Sequence, residues 1–267
     1  MPTDSPTPAG SERLVTLANG CNDPPHQNLV VTIMADGRAV RGVTDWSERQ
    51  LTPADLEKLT RDVLAAPLLQ ASGEYKAEQS QANPSIQMSI QGPICSYHFI
   101  IGEGTGAVVV HSDTWQGDAQ EAENWVRSPE RKELDRLANL LLAATGWTTA
   151  AWKPYVATSN LLWVTAYPTP VPEGIPSAVK AAWPFNGPIE GFGDSMGVHE
   201  PATWRCGYLD PSQASGMLAA LAGLGIEATL AHDEANLATA SGWVTIHLTP
   251  RAPDGFPTCS DEAPFHP

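Results

Sequence analysis

Short runs rich in β-branched and other apolar residues, bounded by turn-forming residues, recur along the chain and predict β-strands. The clearest case is NLVVTIMADGRAVRGV, residues 28–43, in which β-branched residues flank the pair Asp36-Gly37. Because a tight type I′ turn requires the positive φ angles that Asp-Gly supplies, this stretch predicts a β-hairpin. Further strands are predicted at residues 86–90, 97–101, 107–111, 160–168 and 243–250.

Three stretches combine a capping residue, a proline at the first helical position and apolar residues at helical spacing. In LTPADLEKLT, Thr52 can cap the exposed N–H groups, and Pro53 gives up no needed hydrogen bond. The second helix begins at Ser128-Pro129 and the third at Asp210-Pro211, where Gln213 completes a reciprocal capping box. The apolar stripes are Leu56, Leu59, Val63 and Leu64, then Leu134, Leu137, Leu141 and Leu142, then Ala214, Met217, Leu218 and Leu221.

These elements predict an α+β fold of two related lobes, each with antiparallel strands packed against Pro-started helices. Strand, Pro-started helix, strand and cysteine follow one another in both halves. A duplicated module and a shared way of starting a helix are both open explanations. The predicted organisation is a flexible Pro/Thr/Ser-rich tether over residues 1–20, an N-terminal lobe over 21–147, a C-terminal lobe over 148–260 and a mobile tail over 261–267.

Charge and hydropathy exclude several classes of function. The 267 residues include 30 acidic and 15 basic side chains, which gives a net charge of -15 at pH 7. Because this balance repels phosphate backbones and the basic residues are scattered singly, we expect no nucleic-acid partner. The longest apolar run, LANLLLAATGW at residues 137–147, is too short to span a bilayer, so we expect no transmembrane segment.

The N-terminal stretch MPTDSPTPAGSE lacks the basic start and apolar core of a signal peptide. It suits the start of a mature envelope protein whose signal has been removed, which leaves tethering to the membrane open. The alternative is an ordinary cytosolic terminus. We favour the first and predict an extracytoplasmic location, either secreted or anchored at the cell surface.

The four cysteines, Cys21, Cys95, Cys206 and Cys259, are widely separated. Without CxxC spacing they do not predict a metal site, and we expect neither a metal nor another cofactor. An even number of cysteines in a secreted chain indicates two disulfides, for which three connectivities exist. We favour Cys21–Cys95 and Cys206–Cys259, because each pair brackets one helix-containing unit; four buried free thiols are the alternative.

The segments ADGRAV, QLTPADLEKLTRDVLAAPLL, AAWPF and RCGYLDPSQASGMLAALAGLG, followed by Cys259, occur in an order that resembles a known pattern. The pattern is that of a family of uncharacterised secreted or lipid-anchored envelope proteins from high-GC bacteria such as actinobacteria and Chloroflexi. The resemblance covers most of residues 21–259. It implies an extracytoplasmic location and a Cys206–Cys259 disulfide, and it carries no activity or site residues. The chain departs from the family in having no signal or lipobox, which leaves lipid anchoring open.

Two groups of residues are candidates for chemistry. GFGDSMGVHEP resembles the nucleophile block of GDS(L) esterases, with Ser195 as nucleophile, but it follows the turn-like NGPIE rather than an apolar strand. We therefore assign no catalytic residue. Among nine tryptophans, Trp152 and Trp183 lie near prolines in irregular chain, where indoles can form a platform for a sugar or a Pro-rich peptide. Most tryptophans are expected in the core instead.

The sequence thus predicts an extracytoplasmic, non-enzymatic envelope protein that acts as a binding or structural component. Its expected partner is an unknown protein or glycan at the cell surface. The alternatives are a secreted hydrolase acting on ester or glycan bonds, and a secreted inhibitor or interaction partner of another envelope protein. The polar loop at residues 72–84 and the proline-rich passage at residues 168–188 are the expected places for a binding surface.

Overall fold

The computed structural model describes residues 12–21, 27–42, 46–76, 78–79, 95–114, 125–126, 128–144, 150–177, 183–199, 201–227 and 234–259. Within them the chain forms an eight-stranded sheet, a five-stranded sheet, a small two-stranded sheet and α-helices. This confirms the predicted α+β class. The predicted strand at 86–90 and the predicted tail at 261–267 lie outside the described residues.

The chain divides into two compact units, and the main division falls between Tyr155 and Val156. The boundary was predicted after residue 147. It lies later because Lys153–Pro154 forms a short strand, β10, that pairs with β4 (Ser47–Gln50) of the N-terminal unit. Residues 150–155 therefore belong to the N-terminal unit.

The N-terminal unit is built on the eight-stranded sheet. Its other strands are β1 (Arg13–Cys21), β2 (Gln27–Met34), β3 (Arg38–Arg41), β5 (Gly73–Tyr75), β7 (Cys95–Ile101) and β8 (Val108–Thr114), and β6 (Glu78–Gln79) pairs with β9 (Trp125–Val126) in the two-stranded sheet. The strand order is β10-β4-β3-β2-β1-β7-β8-β5, and all pairs are antiparallel except β5 with β8. The Asp36-Gly37 turn joins β2 to β3 as predicted, with Gly37 at φ 87°.

The tether predicted over residues 1–20 is wrong from Arg13 onward, because β1 lies inside the sheet. It pairs with β2 on one edge and with β7 on the other. Val15 and Leu17 are buried in the core, and on the opposite face the Thr16 hydroxyl lies 2.6 Å from the Thr32 hydroxyl. The pairing of both edges and the burial of both faces fix this strand.

Helices α1 (Pro53–Leu59) and α2 (Pro129–Ala144) supply the rest of the N-terminal core, and a π-helical turn at Thr60–Leu64 continues α1. Thr52 caps α1 as predicted, in a reciprocal box with Asp55. Of the predicted stripes, Leu59, Val63, Leu134, Leu137 and Leu141 are buried, and Leu56 and Leu64 are partly buried against the same core. Leu142 is exposed instead, and Ala138 is buried in the core. Ala138 lies four residues before Leu142, one turn earlier on the same face of α2.

The C-terminal unit is built on the five-stranded sheet, whose order is β12-β13-β11-β15-β14. Its elements are β11 (Asn160–Tyr167), β12 (Asp194–His199), β13 (Ala202–Leu209), α3 (Pro211–Gly223), β14 (Glu234–Thr239) and β15 (Gly242–Pro250). One face packs with α3 around Leu162, Val164 and Met217. The other face carries a smaller cluster around Leu161, Trp163 and Cys206.

The two units have the same order of elements along the chain, but their strands pair differently. In each sheet the first strand is central and lies between two hairpins, and a Pro-started helix separates the hairpins in sequence. However, β1 pairs with the first strand of each hairpin (β2 and β7), whereas β11 pairs with the second (β13 and β15). A common capping box accounts for the similar helix starts by itself, and a relation between the lobes stays a prediction.

Candidate functional site

Trp152, one of the two tryptophans predicted to form a platform, stacks against arginines of its own unit. Arg41 and Arg49 each place a guanidinium carbon 4.4 Å from the centroid of its ring. Burial, and then the charge of Arg41, lowers the pKa of Arg49 below its usual value, and the charge of Asp55 opposes this shift. These contacts anchor residues 150–155 along β4, so the indole has a structural use already.

Trp183, the other predicted platform residue, lies in the C-terminal unit and belongs to a row of aromatic rings. It is half-buried against the core, and its ring centroid lies 5.8 Å from that of Phe185. Phe185 in turn lies 4.7 Å from Phe192, with their planes tilted by 54°. This is the inclined geometry that aromatic pairs prefer.

A pocket of about 330 Å³ opens beside this row. It is lined by residues 184–188, residues 191–193 and Gln213. Its position is the end of the proline-rich passage that was expected to carry a binding surface. Trp183 supports the wall by packing on Phe185 and is not itself among the lining residues. We call this site the Phe185 pocket.

The wall formed by residues 189–193 is held rigidly against β13. Ile189 is buried and anchors a single 3-10 turn, and Arg205 of β13 donates hydrogen bonds to the carbonyls of Phe192 (3.0 Å) and Gly193. Gly193 has φ 70°, and a Cβ there would collide with the carbonyl of Cys206. A side chain at Gly193 would therefore collide with β13, which accounts for the glycine at this position.

Gln213 reaches the pocket from the first turn of α3. Its carbonyl Oε1 accepts a hydrogen bond from the backbone N–H of Asp210 at 3.0 Å, and Asp210 accepts one from the N–H of Gln213 at 2.8 Å. Hydrogen bonds from the Ser212 hydroxyl and the Gln213 backbone lower the pKa of Asp210. This confirms the predicted capping box, which leaves the amide NH2 of Gln213 as its donor at the pocket.

The lining is chemically simple. The described residues that line it are prolines, phenylalanines, glycines and two carboxamides, Asn186 and Gln213, and none of these has an ionisable or nucleophilic side chain. Glu190 lies in the same loop, and its carboxylate accepts a hydrogen bond from the Ser241 hydroxyl at 3.0 Å. Such a surface can bind and orient a ligand, and its lining supplies no group for proton transfer.

Ser195, the residue matched to the esterase nucleophile, lies in β12 directly opposite Arg205 of β13. Within the described part of the chain, no hydrogen bond joins it to a histidine. The GFGDSMG stretch is thus the end of the pocket wall followed by a strand. Its glycine at position 193 has a structural reason, given by the close approach to β13.

A cluster that the sequence did not indicate lies on β7 and β8. His98 and His111 are directly opposite each other, with ring centroids 4.4 Å apart. Ser96 Oγ is 2.9 Å from His98 Nε2, and His111 Nε2 is 3.4 Å from Asp113 Oδ1. Burial, and then the neighbouring His111, lowers the pKa of His98 to about 4, against the opposing effect of Asp113. His98 is therefore neutral at pH 7.

Of the two predicted disulfides, Cys206–Cys259 is present, with Cα atoms 5.6 Å apart. It joins β13 to the segment after β15, where Arg251 donates to the carbonyls of Gly255 and Pro257. The backbone register of β1 and β7 sets Cys21 directly opposite Cys95. Because directly opposite residues in antiparallel strands have Cα atoms about 4.5–5.5 Å apart, this backbone suits a disulfide, and Cys21–Cys95 stays a prediction.

The described residues contain neither a metal-binding cluster nor a membrane-spanning helix. No group of three or more His, Cys, Asp and Glu side chains is placed there to hold a metal ion. None of the helices in that part of the chain has both the length and the apolar character needed to cross a membrane.

The Phe185 pocket is therefore the feature from which a function is inferred. No protein-family model, curated protein or solved structure matches the chain. The resemblance to the envelope family stays an expectation from the sequence.

Proposed function

We propose that this chain is an extracytoplasmic, non-enzymatic protein of the cell envelope that binds a ligand in the Phe185 pocket. The pocket lining is the observation that carries the proposal: aromatic, proline and carboxamide groups surround about 330 Å³ and include no ionisable side chain. Ligand sites are commonly concave and mostly apolar, with a few fixed polar groups.

The hydrogen bonds around the site support binding. Two Arg205 hydrogen bonds position one wall, and the capping box positions Gln213, before any ligand is bound. Preorganisation of this kind raises affinity because the cost of ordering the site has been met during folding.

The Cys206–Cys259 disulfide supports the proposed extracytoplasmic location. Stable structural disulfides form in oxidising environments and are rare in the cytosol. The test is intact mass after alkylation without reductant, followed by peptide mapping, on protein made in an oxidising compartment. Crosslinks at Cys206–Cys259 and Cys21–Cys95 are expected, and alkylation of all four thiols would contradict the extracytoplasmic proposal.

The binding function is tested by ¹H–¹⁵N NMR spectra of the whole chain, recorded with neutral oligosaccharides and with a proline-rich peptide. We expect saturable shifts at residues 184–193 and Gln213, and their loss in Phe192→Ala. Chemical turnover of a saccharide or ester by the protein would contradict the non-enzymatic proposal. Shifts that avoid the pocket entirely would move the binding site elsewhere.

A further inference from the structure

We propose that the Phe185 pocket takes an uncharged sugar ring, as a unit of a neutral glycan. This inference rests on the proposed binding function and names the class of its ligand. It follows from three properties of the lining: flat apolar rings, two carboxamides and, among the described lining residues, no ionisable side chain.

The apolar part of the lining matches one face of a sugar ring. Phe185 and Phe192 are inclined to each other at 54°, and Pro184 and Pro188 extend the same surface. A pyranose presents a face of C–H groups that can pack on an aromatic ring, whose face is electron-rich. The tilt of the two phenyl rings offers a corner into which one sugar ring fits better than a flat aromatic ligand.

The polar part of the lining matches the hydroxyl edge of the same ring. Each hydroxyl both donates and accepts, and each carboxamide supplies both roles. Gln213 is oriented by its own cap, since Oε1 already accepts from the Asp210 N–H, and its NH2 is the group that can donate to a ligand. Asn186 is exposed on the loop and can offer both its oxygen and its nitrogen.

Charge favours a neutral ligand. A charged group would lose hydration in the pocket without gaining a counter-ion from its described lining, in which no residue is ionisable. Anionic ligands are disfavoured further by the net charge of -15. A polyproline segment also packs on aromatic grooves, but it needs a long surface, and about 330 Å³ is near the small end of ligand pockets.

The experiment uses the full disulfide-bonded chain and NMR titration. The probes are maltotriose, cellotriose and triacetylchitotriose, with trigalacturonic acid as the anionic comparison and decaproline as the peptide comparison, each taken to its solubility limit. We expect at least one neutral trisaccharide to shift Phe185, Phe192 and Gln213 saturably, and trigalacturonic acid to shift none of them.

The variant Gln213→Glu is a matched control for the fold. A glutamate at this position keeps the reciprocal cap but replaces the NH2 donor with a carboxylate, so the melting temperature should stay unchanged while saccharide affinity falls about tenfold or more. Equal affinity of this variant would overturn the assignment of the donor and with it the sugar inference.

The remaining outcomes separate the two proposals. Binding of decaproline at the pocket without any saccharide would overturn the sugar inference and leave the binding function intact. Binding of trigalacturonic acid would overturn the inference of a neutral ligand. If no saccharide and no peptide shifts these residues, both the sugar inference and the pocket as the binding site are wrong.

Discussion

Acidification should destabilise the N-terminal unit through the buried side chain of His98. The pKa of this histidine falls from 6.5 to about 4 in the folded chain. The unfolded chain takes up the proton near pH 6.5, and the folded chain does so only near pH 4. The contribution to stability is therefore complete above pH 6.5 and is lost as the pH falls from there to about 4.

The size of this destabilisation follows from the difference between the pKa of His98 in the unfolded chain and in the folded chain. One pKa unit corresponds to about 1.4 kcal/mol, so the shift of His98 should lower the free energy of unfolding by about 3 kcal/mol across this range. That is a large share of the ~5–15 kcal/mol that stabilises a typical domain. The carboxylates of this acidic chain also titrate as the pH falls, so a comparison with a variant is needed.

The variant is His98→Gln, which removes the titrating ring and keeps an amide that can hydrogen-bond to Ser96. Urea denaturation of both proteins, followed by circular dichroism between about pH 7.5 and pH 4.5, isolates the histidine because the carboxylates are common to both. The wild type should lose about 3 kcal/mol more than the variant over the full range. His111→Gln should give an intermediate loss, since it removes one of the two causes that lower the pKa of His98. Parallel curves for wild type and His98→Gln would refute this reasoning.

Three further predictions concern stability and the pocket. Replacing Cys206 and Cys259 by alanine should cost about 4 kcal/mol in urea denaturation, as the chain-entropy model gives for their separation of 53 residues, and reductant should bring the wild type to the same value. Trp152→Ala should cost about 2–3 kcal/mol through lost burial and two lost cation–π contacts, with partial recovery in Trp152→Phe. Gly193→Ala should lower the melting temperature and abolish ligand shifts, whereas Gly223→Ala, which lies outside the pocket lining and has open space for a Cβ, should do neither.

The elements that could be predicted from the sequence are those specified by a few neighbouring residues. Thr52-Pro53 and Asp210-Pro211 start helices, and Asp36-Gly37 turns a hairpin, because each acts on backbone groups within a few residues. The strand β1 directly follows a Pro-rich stretch, and the predicted tether over residues 1–20 therefore wrongly includes most of it. Its position depends on pairing with β7, which is distant in the sequence.

The candidate site also combines features that the local sequence indicates with contacts that depend on strand pairing. Trp183 lies beside the pocket, but Gln213 was predicted only as a capping residue, since its approach to residues 184–193 depends on the pairing of β12 with β13. The pairing of His98 with His111 likewise follows from the register of two strands. Sequence spacing indicates neither contact.

The central place of β1 has a consequence for how the chain is made. During synthesis β1 and β2 emerge before β7 (Cys95–Ile101) and can pair with each other, but the other edge of β1 stays open until β7 has emerged. An open edge that carries Val15 and Leu17 is a template for association with other chains. A nascent chain arrested before Cys95 should therefore aggregate unless a chaperone covers that edge, and refolding yield should fall as protein concentration rises.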